Sequence, residues 1–347
     1  MVPVEWPIDA PASDGGYARA RLAPRDRLPC VRADLFLDPR ARLSEQERSL
    51  LTALMADLVS SVSDEFLVAL GEPSPANDED ESLLDRLWRT GLLDIPDLIR
   101  LLLRRADEER LAAAIHDVSG SSRARFAQSL VGDEDADISA AAMALILARG
   151  RRRDRFDAPR IAFDDLPAEA AVALVNAVAA GLRDRVADRL GVGQADERLT
   201  AAAHALLAGH DEGKRLEARM FDLVHALDRA GRLDDRCISI ALHEGQVAFV
   251  VEALARRSGI PFDSAWDRFA GGKGELALLL RLARSSRELA GEILSQASDL
   301  VGSDAEFEIA AFDTMAGEEV ERARDWLRFD PNYRRAIEAL GNGNRAL

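Results

Sequence analysis

A chain of 347 residues with 61 acidic against 45 basic side chains, a formal charge of −16, is poorly matched to nucleic acid or to an anionic membrane surface. Both need a concentrated basic footprint. Hydrophobic residues make up 48% and charged residues 31%, an ordinary globular balance, while four threonines, two tyrosines and 5% aromatics leave little material for a sheet.

Residues 1–43 hold Pro3, Pro7, Pro11, Pro24, Pro29 and Pro39, six of the thirteen prolines, spaced so that no long helix fits between them. They are read as an irregular N-terminal arm, with Val31 to Leu37 as a short apolar segment able to dock. No charged-then-apolar leader is recognisable, and no apolar run approaches the roughly 18 residues of a membrane span. An N-terminal helical region is expected over 44–150. Ser44 and Glu47 have the spacing of a capping box, and Leu50, Leu51, Leu54 and Leu58 stripe the helix that follows, as far as Leu70 and Gly71. Residues 72–82, EPSPANDEDES, read as an acidic linker.

Short helices are expected next. One carries Leu83, Leu84, Leu87 and Trp88; one follows Asp94 and Pro96 with Leu98, Ile99, Leu102 and Leu103; others lie near Glu108–Asp117, Arg123–Val131 and Ile138–Arg149. Their rhythm is that of paired-helix arrays, without a fixed period. Residues 149–160, RGRRRDRFDAPR, place six arginines against two aspartates, and 151–163 is read as a basic connector. Arginines at a helix C-terminus complement its dipole; the alternative is a small patch for an anion or an acidic partner, since arginine pairs with carboxylates and phosphates in a forked manner.

The C-terminal helical region is expected over 164–347. After Asp164-Asp165-Leu166-Pro167 a long helix carries Leu174, Val175, Val178 and Leu182 and stops before Gly191 and Gly193. Helices near 196–208, 213–229 and 233–243 lead to the densest apolar stretch. There Val247, Val250, Val251 and Leu254 share one helix face and Phe249 and Ala253 make the other face apolar, so this helix is expected to be buried on most sides. Ser258-Gly259-Ile260-Pro261 ends it. Phe262, Trp266 and Phe269 stripe a second short helix, and Leu276, Leu279, Leu280 and Ala283 a third. Helices near 304–315 and 317–328 follow, then a last one after Asp330-Pro331, stopped by Gly341.

No chemical motif survives inspection. His243-Glu244 would need a second histidine where Val247 stands, and Gly272-Lys273 lacks both the glycine of a phosphate loop, at Asp267, and its hydroxyl residue, at Gly274. His204 and His210 do not share a helix face, and His116 and His225 have no catalytic company. Cys30 and Cys237 have no metal-like spacing, which favours a reducing compartment, and neither has the surroundings of an activated thiolate. Trp88, Trp266 and Trp326 lie on apolar helix faces, as core residues or as anchors of an interface. No catalytic, cofactor-binding or metal residue is assigned, and no cofactor is expected.

Ala140–Leu145, Asp165–Glu169, Asp211-Glu212-Gly213, the stretch from Leu242 to Arg281 and Asp330–Arg334 occur in an order similar to that of an uncharacterised alphaproteobacterial family, domain of unknown function 2336. The resemblance covers roughly residues 44 to 340. It implies an all-helical, repeat-like architecture and brings no ligand or catalytic residues with it. The fold expected is all-α, an array of short antiparallel helices, as an α-solenoid or an irregular helical bundle, behind an irregular N-terminal arm. The function expected is that of a cytoplasmic, non-catalytic interaction or regulatory scaffold with an unidentified protein partner, binding neither nucleic acid nor membrane; a homo-oligomer is compatible with it. Its candidate partner-binding residues are Asp78, Glu79, Asp80 and Glu81 in the acidic linker and Arg151, Arg152 and Arg153 in the basic connector. The alternative is a small-ligand sensor or enzyme with a site between helices.

Overall fold

The computed structural model describes residues 43–71, 77–119, 125–153, 159–271, 274–297 and 303–330, with 333, 334, 336, 337 and 340 beyond them; at 77–82 and 116–119 it describes backbone alone. The expected N-terminal arm lies outside the described residues up to position 42, as do the Gly272-Lys273 turn and most of the expected last helix. From Glu45 onward the chain forms one compact unit.

Fifteen α-helices are found among the described residues. They are α1 (Glu45–Leu70), α2 (Asn77–Arg89), α3 (Pro96–Ser119), α4 (Arg125–Leu130), α5 (Ala136–Gly150), α6 (Ala168–Leu190), α7 (Val192–Gly209), α8 (Leu216–Arg229), α9 (Asp235–His243), α10 (Val247–Ser258), α11 (Phe262–Phe269), α12 (Glu275–Leu282), α13 (Arg287–Ala297), α14 (Ala305–Thr314) and α15 (Gly317–Leu327). No strand occurs among them; one isolated antiparallel bridge joins Arg153 to Pro159.

Two differences from the sequence reading have physical causes. α2 begins at Asn77, inside the stretch read as linker, so the acidic run opens a helix, where negative charge suits the positive end of the dipole. The two helices expected between Pro96 and Asp117 are one helix of 24 residues, α3. The charged group between them, Arg104 to Glu108, forms ion pairs within the protein, and the helix runs straight through it.

The buried apolar residues form two clusters. One joins α1, α2 and the first half of α3 to α6 and α7, around Leu58, Leu98, Leu174 and Val178. The other joins the end of α3, α4 and α5 to everything from α8 onward. Packing is therefore interleaved along the chain: α5 lies on α8, whereas the intervening α6 and α7 turn back against α1. At the centre of the second cluster is α10, ten of whose twelve residues are buried. Val247, Phe249, Val250, Val251, Ala253 and Leu254 are each at most 2% exposed, matching the expectation of an all-round apolar helix. Burying side chains of this size is worth about 1.5–3 kcal/mol apiece. Gly259 ends α10 in the left-handed region at φ 71°, with Ile260 N–H donating to Ala255 O and Gly259 N–H to Arg256 O, a Schellman motif.

Beyond α11, long-range capping holds the next helix. Fully buried Glu308, on α14, accepts hydrogen bonds from Gly274 N–H at 2.6 Å, Ala277 N–H at 3.1 Å and the Ser303 hydroxyl at 2.6 Å. The start of α12 thus takes its cap from another helix.

Candidate functional site

α3 carries Arg104, Arg105, Glu108 and Glu109 within about a turn and a half, so all four point toward one side of the helix. Facing them are the end of α5, the connector after it, the first turn of α8 and the α9–α10 turn. Between these elements lies a cavity of about 470 Å³. Its polar wall includes Arg105, Glu108 and Glu109 from α3, Arg149 from α5, and Arg152, Arg153 and Arg160 from the connector. Its apolar wall includes Leu54, Ala127, Ile146, Leu216, Val247 and Ala248.

Most of the charges here are paired with one another. Arg105 donates to both oxygens of Glu108, at 2.8 and 2.6 Å, and to Glu217 Oε1 at 2.6 Å. Arg104 donates to the same Glu217 oxygen at 3.0 Å and to Asp263 at 2.8 Å, with its guanidinium over the Phe262 ring. Arg152 forms a two-pronged pair with Asp165, which also accepts from Ala162 N–H and Leu216 N–H at 3.3 Å each. Arg153 pairs with Glu109 at 2.6 Å, and Arg160 with Asp57 at 2.9 Å. Arg105, Arg152 and Asp165 are 5%, 7% and 3% exposed, so these are interior charges held together by forked hydrogen bonds.

The protonation equilibria follow from that arrangement. Burial alone would raise the Glu217 carboxyl, but Arg105, Arg104 and Arg152 outweigh it and hold the group down at about 2. For Arg105 burial works against the charge, and Glu108, Glu217 and Asp165 more than offset it, driving its pKa upward. Arg152 is shifted the other way, by burial and then by neighbouring Arg105, against the pull of Asp165. Arg149 is lowered to about 10 by burial and then by Arg152. It stays charged at neutral pH, yet its side chain makes no hydrogen bond or ion pair among the described residues; Glu108 and Glu244 act on it only at longer range.

The cavity wall therefore has unused positive donors. Besides Arg149, Arg152 Nη1 and Arg105 Nε have no hydrogen-bond partner among the described residues although both atoms are buried. Buried N–H groups left unmade are costly, at about 1–3 kcal/mol each. A third donor set adjoins them. The Gln246 side chain does not cap α10, and Val247 and Ala248, in the first turn of that helix, line the cavity.

Gly245 brings the start of α10 to this wall. It adopts φ 66°, and a Cβ there would sit 3.1 Å from the Ala112 carbonyl oxygen of α3. Replacing it by alanine combines left-handed strain with a backbone contact that must give way by a few tenths of an ångström. The expected outcome for Gly245→Ala is a loss of about 1–2 kcal/mol in chemical denaturation; an unchanged midpoint would mean that α10 does not depend on this close approach.

The residues singled out from sequence are placed as follows. Arg151 is exposed, Arg152 is buried on Asp165, and Arg153 is partly buried on Glu109, so one of the three faces solvent. Asp78 to Glu81 lie in the opening turns of α2, where the backbone alone is described. Trp266 is buried and Trp326 partly so, whereas Trp88 is 55% exposed and is not a core residue. His243 pairs with Glu292 at 2.7 Å, and burial, then Asp234, push the Cys237 thiol up to about 11. Sequence reasoning missed Arg105, Asp165 and Glu217 as site residues, whereas Arg149 opens the arginine run 149–160, whose alternative reading there is a patch for an anion. Of the three, the Arg105–Glu108 pair, three apart on a helix, left a readable signal.

Among the described residues no group of three or more His, Cys, Asp or Glu could hold a metal ion, and no helix is long and apolar enough to cross a membrane. The class defined by fold and site is an all-helical protein with an arginine-lined cavity between its helices. The chain belongs to a bacterial family described as "Uncharacterised protein conserved in bacteria (DUF2336)", whose family model matches residues 104–325. That span contains every cavity residue named above except Leu54. No curated protein and no solved structure matches the chain.

Proposed function

We propose that this protein is a non-catalytic receptor for a small oxyanion, and that its helical body is the docking or regulatory element whose state the ligand sets. The observation that carries this reading is the set of unfilled guanidinium donors on residues that line one cavity: among the described residues Arg149 has no partner, and Arg152 and Arg105 each keep a buried N–H unused. Arginine is the side chain suited to forked recognition of phosphate and carboxylate oxygens.

The lining supports binding over bond-breaking. Among the described residues it includes no serine, threonine, cysteine, histidine, tyrosine or lysine, and the two acids found there, Glu108 and Glu109, are each engaged by an arginine. The overall charge of −16 supports selectivity, because a negative exterior disfavours anion binding anywhere except at a concentrated positive site. A cytoplasmic setting fits a chain whose two cysteines, Cys30 and Cys237, lie far apart and imply no disulfide framework.

Calorimetric titration with inorganic phosphate at low ionic strength tests the reading. Saturable one-site binding is expected, with a rise in melting temperature that corresponds to about 2.7 kcal/mol at a hundredfold excess over Kd. In Arg149→Gln the affinity should fall at least tenfold while the melting temperature of the unliganded protein changes little, since this side chain holds no partner. Equal phosphate binding by the variant, or none by the wild type, rejects the proposal.

A further inference from the structure

Resting on the receptor reading above, we infer that the ligand is a monoester of phosphate with a compact apolar body, a chemistry more specific than a free inorganic anion. Two halves of the cavity point to the two halves of such a molecule.

The charged half is a dianion site. Arg149 and Arg152 line the same wall, where the charge of Arg152 makes protonation of Arg149 harder, and Arg152, more than nine-tenths buried, keeps Nη1 without an acceptor among the described residues. A group with two negative charges neutralises that mutual repulsion, where a carboxylate supplies one. The start of α10 adds backbone N–H groups that the side chain of its N-cap residue, Gln246, does not cap, on a helix of twelve residues, long enough for its dipole to favour negative charge. Gly245 removes the side chain that would otherwise keep this helix start away from α3.

The other half is apolar. Leu54, Ala127, Ile146, Leu216 and Val247 line the same space, Leu54 from one hydrophobic cluster and Leu216 and Val247 from the other. At about 470 Å³ the cavity holds far more than an inorganic ion, given that one water takes roughly 30 Å³ in the liquid. Inorganic phosphate would satisfy the donors and leave the apolar wall facing trapped water. An organic group attached through one ester oxygen fills that space while leaving three oxygens for the donors.

The experiment compares three probes on the full chain by calorimetry: inorganic phosphate, butyl phosphate and butyrate. Butyl phosphate is expected to bind at least tenfold more tightly than either of the others. Ile146→Asn, at a half-buried wall position, is expected to lower butyl phosphate affinity at least fivefold while leaving inorganic phosphate within twofold, with unchanged circular dichroism as the control for folding. Inorganic phosphate and butyl phosphate binding equally would overturn the inference and leave the receptor reading intact. Butyrate matching butyl phosphate would overturn the choice of phosphate. Absence of saturable binding by all three would sink the receptor reading itself.

Discussion

Replacing Asp165 by alanine is expected to cost about 3–5 kcal/mol of folding free energy, the largest effect of any single change considered in this protein. The carboxylate is 3% exposed and serves four donors: two guanidinium nitrogens of Arg152 and the backbone N–H groups of Ala162 and Leu216. Removing it leaves Arg152 as a buried charge without its counter-charge, which is the severe case for an interior ion pair. It also releases the N–H that fixes the start of α8. Arg152 is already below its ordinary pKa because of burial and Arg105, so the variant is further expected to lose a proton from this region more readily. Urea denaturation checks the magnitude. The double variant Arg152→Met/Asp165→Leu separates charge from shape: with neither charge present, most of the loss should be recovered. Added phosphate should restore part of the stability of Asp165→Ala and little of the double variant's, because an anion can replace the missing carboxylate only where Arg152 remains. A loss below about 1 kcal/mol in Asp165→Ala would mean that the pair contributes little to holding α5, the connector and α8 together.

Helix positions were legible in the sequence wherever apolar spacing and a stop signal agreed. Val247 to Leu254 fixed both the existence and the burial of α10, and Gly259 its end; Leu174 to Leu182 did the same for α6. What the spacing could not give is the partner of each apolar face. Leu174 and Val178 specify a buried stripe equally well whether it meets α1 or α8, and the interleaving of the two clusters depends on that choice. The site was hidden for a related reason. With 61 acids and 45 bases in the chain, proximity in sequence says almost nothing about which arginine meets which carboxylate. Arg105 finds Glu217 across 112 positions. Arg152 looked like part of a solvated run because its neighbours Arg151 and Arg153 are also basic, yet the chain turns at Phe163–Asp165 and brings Asp165 back onto it. The resemblance to an uncharacterised family could supply a fold and a span, but no chemistry.

Glu252 provides the second large effect, and it has the opposite sign. This side chain sits in the middle of α10, 6% exposed, between Val251 and Ala253. Burial, followed by the negative charge of Glu217, pushes its carboxyl up to about 7, with Asp263 adding to the shift and Arg256 opposing it. The unfolded chain returns it to an ordinary carboxylate near 4.5. Between those two values the folded protein binds a proton that the unfolded chain does not, so the stability present at about pH 5 declines as pH rises through 7. With about 1.4 kcal/mol for each pH unit separating the two values, the decline approaches about 3 kcal/mol by pH 8. Glu252→Gln keeps the shape and removes the ionisation. It should therefore match the wild type near pH 4.5 and exceed its stability by about 2–3 kcal/mol at pH 8. Chemical denaturation at pH 5, 6, 7 and 8 measures the difference directly; a constant offset between wild type and variant across that range would refute the assignment. Glu217, the like charge that acts most strongly on it, is held ionised by Arg105 and Arg104, and Arg105 lines the cavity. In Arg105→Met, Glu217 loses one of the cations that hold it down, so the pH dependence contributed by Glu252 should change with it. An unaltered profile there would show that Arg104 and Arg152 suffice to keep Glu217 ionised.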